Sequence, residues 1–384
     1  MDKAANPLKS QIADQRIQAL DGVRGFMTIV VMISHYFGEV QHGFHAALGG
    51  WIAVTMFYVL SGFLIARLIL KKGDHANFFK VFYIRRICRT FPIYFVCIGL
   101  ISAITMLWHF KETYENAPFP LTAYLTFTQN FWMASTGSLG EHWLAPTWTL
   151  ALEEQFYLMA PALILLVPRQ YLLKLLIAMM GFAVIARYWV LEISSLDAFA
   201  AAVLLPTRLD VLVAGVLAVV LLRQDWINWA KFDLLLRILP IPLMVMAMAL
   251  KLLTSEDAKL FSTISPLLIS TACAAFLMSL VRGAPEVKRF HNKFFNFFCT
   301  ISYAVYLTHL LVLGLMHNLI LGTAPDVNSG AQILVTIASI PATVALSYLL
   351  TIFVEAPITN FGRSFKWSKE MRAPRKTELQ IVSN

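Results

Sequence analysis

Apolar residues run along this chain in ten stretches, separated by short polar segments that hold most of the charge. A membrane helix needs about 20 mostly apolar residues. The pattern therefore predicts spans at about 22–40, 48–70, 91–109, 148–167, 172–191, 210–222, 238–253, 264–281, 300–321 and 331–354, the sixth and seventh being short. No Ser/Pro/Gly-rich linker interrupts them. The expectation is an all-α, polytopic transmembrane bundle of about ten spans, forming one membrane domain over 21–355 between polar tails at 1–20 and 356–384. The first 20 residues lack the basic, apolar and small-residue succession of a cleaved signal peptide, so the N-terminus is expected to be retained.

Composition agrees with lipid as the main solvent: 58% of the 384 residues are apolar and 14% charged, against roughly 25% charged in a soluble domain. The net charge of +9 reports topology before it reports a partner. Of the 31 Lys and Arg residues, 24 fall in the tails and in the loops on their side, four on the other side, and three within or at the ends of spans. That asymmetry places both termini in the cytoplasm and leaves no need for a nucleic-acid partner, with membrane lipid as the surrounding medium. Cys88, Cys97, Cys273 and Cys299 show neither disulfide nor zinc-ligand spacing, so no metal or redox role is expected.

Two loops are more than connectors. Residues 71–90 (KKGDHANFFKVFYIRRICRT) are basic and aromatic and suit an amphipathic helix on the inner leaflet, with Phe78, Phe79, Phe82 and Tyr83 dipping into lipid. Residues 110–147 form the longest outer loop, with a run (LTAYLTFTQNFW) too short and polar to span; it is expected to cap a cavity.

The candidate chemistry lies inside the spans. Arg24 and His35 are eleven residues apart in the first span, three helical turns plus about 20°, hence on one face and about 16 Å apart along it. This puts His35 near the middle of the membrane, where an ionisable group is a functional candidate; the plain alternatives are a neutral histidine bonded to a neighbouring helix and an arginine reaching for lipid phosphate. In the fourth span, WTLALEEQFYL sets Thr149 and Glu153 four residues apart on one side. Glu153 is placed to approach His35 and hold its imidazole, while Glu154 points about 100° away, toward a basic residue on another span; spacing alone leaves open which of the two lines the cavity. The run YIRRICRTFP presents Arg85, Arg86 and Arg89 at helical spacings that suit phosphates, although cytoplasmic loops are rich in arginine for topological reasons alone. Arg208 and Asp210 open the sixth span as either a helix-end ion pair or substrate ligands. Tyr303, Tyr306 and His309 form a stripe in the ninth. His42, His45, His75, His109, His142, His291 and His317 carry no spacing signal and are expected in loops or interfaces.

Taken in order, these motifs resemble the acyltransferase 3 family of bacterial membrane acyltransferases over nearly the whole chain. The resemblance is carried by LDGVRG with Arg24 and His35, the phrase FYVLSGFLI (Phe57 to Ile65), the Arg-x-x-Arg of Arg86 and Arg89, and an SxxxExxFY-like motif with Thr149 in the serine position before Glu153, Phe156 and Tyr157. ISYAVYLTH and the VEAP run ending at Pro357 look like its closing motifs. The resemblance implies an O-acetyltransferase of the bacterial inner membrane, taking an acyl group from acetyl-CoA or another acyl-CoA at the cytoplasmic face. The acceptor it implies is a hydroxyl of a surface glycan or lipid-linked glycan, such as lipopolysaccharide O-antigen or exopolysaccharide. Some relatives carry a fused SGNH esterase-like domain; the 30 or so residues after the last span are too few for one, so direct transfer or a separate partner is expected.

The expected mechanism has Arg85, Arg86 and Arg89 gripping the donor phosphates while the thioester passes Arg24 to reach His35. His35 acts as general base oriented by Glu153, or is itself acylated, with Thr149 nearby. Tyr157, Arg208, Asp210, Tyr303 and His309 are the expected substrate contacts. A transporter or flippase would also place charges at mid-membrane, but no inverted repeat supports it.

Overall fold

The computed structural model describes residues 18–44, 47–108, 110, 118–194, 196, 198–253 and 258–371; the expected tails beyond them, and His45 and His109, lie outside the described residues. Among the described residues, ten long helices form the bundle: α1 (Gln18–Phe37), α2 (Ala47–Lys72), α3 (Phe78–Leu107), α4 (Thr147–Leu166), α5 (Arg169–Glu192), α6 (Leu205–Leu222), α7 (Pro240–Leu253), α8 (Ala258–Val281), α9 (Lys293–Leu321) and α10 (Gly330–Leu350). Among the described residues, the nine apolar segments that contain α2 to α10 are long and apolar enough to cross a membrane. Helix α1 carries Asp21, Arg24 and His35 and is sheltered along α9, its most extensive neighbour.

Helix α6 sits at the centre. Beyond Asp210 it is apolar all round, and it buries fourteen of its eighteen residues, the pattern of a helix enclosed by others. Its crossing with α2 depends on two glycines: a Cβ on Gly62 would lie 2.0 Å from the Leu212 carbonyl oxygen, and one on Gly215 1.9 Å from that of Val59. Lipid offers no hydrophobic drive between helices, so such backbone contact supplies the attraction. By contrast α7 buries only Ala247 and lies at the periphery.

Two boundaries depart from the sequence expectation. The basic, aromatic segment is not a separate surface helix: Phe78 begins α3, which runs unbroken for 30 residues, about 45 Å. That exceeds the roughly 30 Å hydrocarbon core, so one end of α3 stands beyond it. Phe78 and Phe82 are buried in protein rather than lipid, with the Trp367 ring stacked 5.8 Å from that of Phe78. At the C-terminal end, α10 passes through a π-turn at Thr351–Glu355 into a helix over Ala356–Ser364. The expected domain limit at 355 thus falls inside a continuous helical run. Residues 366–370 then bond back to Ala76 and Asn77, at the foot of α3.

The segment between α3 and α4 caps one end of the bundle as short helices at Leu121–Leu125 and Gln129–Thr136 and a 3-10 turn at His142–Leu144. Side-chain amides, those of Gln129 and Asn130 fully buried, pin it there. Gln129 donates to the Thr147 carbonyl at 2.9 Å, Asn130 to that of Val203 at 3.2 Å, and Gln155 to that of Phe127 at 2.9 Å.

Candidate functional site

Under this cap lies a cavity lined by His35, Glu39, His142, Pro146 and Trp148, with Leu139, Val40, Ala145, Leu310 and Leu313 as its apolar walls. His35 occupies the last turn of α1, at the capped end of the bundle rather than halfway along it, because α1 begins and ends earlier than the apolar pattern suggested. Its ring meets that of His309 from α9, with His35 Nδ1 and His309 Nε2 3.3 Å apart. His35 Nδ1 also lies 3.0 Å from the Val31 carbonyl oxygen, and His35 Nε2 lies 3.4 Å from Glu39 Oε2. His309 is buried and its Nδ1 faces the carbonyl oxygens of Val305 and Tyr306 at 3.0 and 2.9 Å.

The carboxylate beside His35 is therefore Glu39, four residues on and just past the end of α1, and not Glu153. Glu153 accepts a 3.0 Å bond from the Tyr157 hydroxyl and lies 4.0 Å from Arg86 Nη2. Arg86 also approaches Glu154 at 3.7 Å and lies 3.4 Å over the Tyr157 ring, and Tyr157 in turn contacts the Ser61 hydroxyl. Spacing along α4 gave the face of Glu153 but not its neighbour, since α3 supplies the nearer cation.

These groups join the cavity through a chain of polar side chains inside the bundle. Glu153 is within electrostatic reach of Tyr306 and Tyr58. The Tyr306 hydroxyl lies 2.9 Å from Thr149 Oγ1 and donates to the Pro146 carbonyl, beside the cavity. Tyr303, on the same α9 stripe, donates to the Thr90 carbonyl at 2.8 Å. Toward the opposite end, Glu355 of the VEAP run, 8% exposed, faces Arg89 and Arg24; among the described residues, Arg24 Nε and Glu355 Oε2 are buried with no hydrogen-bond partner. Arg24 thus keeps company with Arg89, about 16 Å along α1 from His35, and belongs to this end of the chain of polar groups.

The three arginines of YIRRICRT have separate surroundings. Arg85 donates to the carbonyls of Arg363 and Phe365 and lies 4.9 Å from the Trp367 ring, so it anchors the C-terminal segment. Arg86 is held by the α4 carboxylates, while Arg89 and Arg24 both face Glu355, which is also in electrostatic reach of Arg363. Of the two readings of Arg208 and Asp210, the helix-end ion pair does not form: Asp210 takes a two-pronged contact from Arg187 of α5 at 2.9 and 2.7 Å. Arg208 instead donates to the Ala202 carbonyl at 3.0 Å and lies 5.1 Å from the ring of Trp51, itself 6.3 Å from that of Trp148.

Sequence reasoning missed Glu39 and His142 at the cavity. Glu39 had a signal, the four-residue step from His35; His142 had none, since the cap brings it in from a distant segment.

A family model described as an acyltransferase domain matches residues 17–352. The chain belongs to the acyltransferase 3 family. Among its relatives, a Staphylococcus aureus (strain COL) protein provisionally named an O-acetyltransferase is 25% identical over 95% of this chain and 61% of its own length. The peptidoglycan O-acetyltransferase OatA of Listeria monocytogenes is 32% identical over 39% of this chain and 24% of its own. YrhL of Bacillus subtilis, provisionally named a peptidoglycan O-acetyltransferase, is 32% identical over 41% of this chain and 25% of its own. The chain thus spans about 61% of the length of the first of these relatives. No solved structure matches it. Within the acyltransferase 3 chain, the family motifs fall into two groups, one around His35 and His309 and one around Arg24, Arg89 and Glu355.

Proposed function

We propose that the protein is a multi-pass O-acetyltransferase of the bacterial cytoplasmic membrane, moving an acetyl group from acetyl-CoA to a hydroxyl of a cell-surface glycan. The observation that carries the reading is the histidine cavity at one end of the bundle, joined by buried polar side chains to an arginine group at the other. The excess of Lys and Arg among the tails and the loops on their side favours an arginine end in the cytoplasm, where Arg24 and Arg89 would hold donor phosphates. The cavity then faces outward, where glycans lie. Two relatives named for peptidoglycan O-acetylation support a glycan acceptor.

In the step itself the acceptor hydroxyl oxygen attacks the thioester carbonyl carbon while His35 Nε2 takes the hydroxyl proton. A C–O bond forms, the C–S bond breaks, and the departing thiolate recovers the proton from His35, giving an ester and free thiol. The acyl carbon must reach the cavity from the arginine end, along Tyr157, Glu153, Tyr306 and Thr149.

The test uses purified protein in nanodiscs with acetyl-CoA and, separately, peptidoglycan fragments, lipopolysaccharide and exopolysaccharide. Thiol release is followed together with mass spectrometry of the glycan. A new acetyl ester on one acceptor, abolished in folded His35→Ala protein, is expected. Normal turnover by that variant, or glycan movement across liposomes without ester formation, would overturn the reading.

A further inference from the structure

Two acceptors lie at 3.0 and 3.3 Å from His35 Nδ1, against one carboxylate oxygen at 3.4 Å from Nε2, and this imbalance bears on which ring nitrogen can react. His309 Nδ1 faces only carbonyl oxygens, of Val305 and Tyr306, and carbonyls cannot donate. The proton of His309 therefore sits on Nδ1. A second proton on Nε2 would bury a charge in a residue 1% exposed and face it at the neighbouring ring. His309 Nε2 is thus a lone pair, aimed at His35 Nδ1 from 3.3 Å. The other neighbour of His35 Nδ1 is again an acceptor, the Val31 carbonyl.

We propose that His309 is the positioning residue of the site, holding His35 as the Nδ1–H tautomer so that Nε2 is the nitrogen that reacts in the cavity. The inference rests on the reading of His35 as the reacting group. His309 is well built for the task. Its ring is tied to its own helix, and the Tyr36 hydroxyl donates to its backbone carbonyl at 3.0 Å while bonding Thr343 at 2.6 Å, so α1, α9 and α10 fix its position together.

The same geometry prepares the charged state. When Nε2 takes the acceptor's proton, the new N–H points toward Glu39, within 3.4 Å, and the Nδ1–H remains shared between Val31 and His309. The imidazolium is then surrounded by acceptors on both sides. Among the described residues, His142 from the 3-10 turn is also in electrostatic reach of both rings, and the Tyr36 ring stacks 6.4 Å from that of His309.

The experiment reads ¹⁵N shifts of histidine-labelled protein in nanodiscs, with His35→Gln to identify the resonance, alongside kinetics of His309→Leu and His309→Gln. Resting wild-type protein is expected to show His35 mainly as the Nδ1–H tautomer. His309→Leu removes one of the two acceptors, so the tautomers should mix and kcat should fall about 10- to 100-fold while KM for acetyl-CoA stays within about twofold. His309→Gln offers an amide oxygen near the place of Nε2 and should restore most of the rate, together with the wild-type pH profile. An Nε2–H tautomer in wild-type protein, or wild-type kcat in His309→Leu, overturns the inference. Should the leucine variant not fold, the wild-type spectrum and the glutamine variant decide it. Full activity in His35→Ala would instead remove the reading of His35 itself, which the tautomer measurement does not depend on.

Discussion

Arg187 grips Asp210 through two parallel bonds of 2.9 and 2.7 Å at a point where the two side chains are 1% and 0% exposed. Arg187 Nε also donates to the Thr263 carbonyl at 2.8 Å, so one guanidinium joins α5, α6 and α8. Arg208, two residues before Asp210, takes no part and turns toward Trp51 near the cavity.

The two arginines should therefore fail differently. Asp210→Asn strands a buried guanidinium and is expected to destabilise the fold by about 3 kcal/mol, lowering the thermal midpoint in detergent. Arg208→Gln should leave that midpoint within a few degrees. A midpoint equally reduced in both would mean that Arg208 is also part of the structural junction.

The arginines of the α3 foot should separate in the same way. Arg85→Ala loses its contacts with Arg363 and Phe365 and should loosen the C-terminal segment, seen as faster proteolysis after Arg363, with little change in KM for acetyl-CoA. Arg89→Ala should raise that KM about tenfold or more, as loss of a charge-assisted phosphate contact does, and Arg89→Lys should recover only part. Unchanged donor affinity in Arg89→Ala would assign the cluster to topology.

Glu153→Gln and Arg86→Lys should be non-additive, because each residue's charge faces the other across Tyr157. Double-mutant kinetics measure this; fully additive losses would show that the two act apart.

His142 makes stability depend on pH in a stated direction. Burial, with a smaller push from His35, holds its imidazole down at about 4, against 6.5 for an ordinary histidine. The unfolded chain thus takes up a proton below about 6.5 that the folded chain takes up only near 4. Its contribution is intact above 6.5 and lost as pH falls between those values, by at most about 1.4 kcal/mol per pH unit. His142→Gln should flatten this part of the melting-temperature profile; identical profiles would rule the group out.

Orientation can be read with reporters fused after Ser135 and after Lys376, the latter outside the described residues. A phosphatase that works only outside the cytoplasm should be active at the first, and a fluorescent protein that folds in the cytoplasm bright at the second. Both sites reporting the same side would refute the orientation drawn from the basic residues.

The all-α character of the described residues, their long apolar helices and the polar Arg24, His35, Glu153 and His309 set within them were legible in the chain itself. Hydrocarbon forces backbone bonds to close within each segment, and a charge inside such a segment stands out against its neighbours. Partnership was another matter. Glu153 meets Arg86 and not His35, Asp210 meets Arg187 and not Arg208, and Arg24 shares its end with Arg89 and Glu355, because helical spacing gives the face a side chain occupies but not which helix packs against that face. The continuity of α3 through its basic foot, and the placing of His142 over the cavity, likewise arise from packing: Trp367 and the C-terminal segment cover Phe78, and buried amides of Gln129 and Asn130 hold the cap. Local pattern determined which residues lie in the bundle and which meet one turn apart, as His35 and Glu39 do; long-range contact decided which side chains of different helices meet.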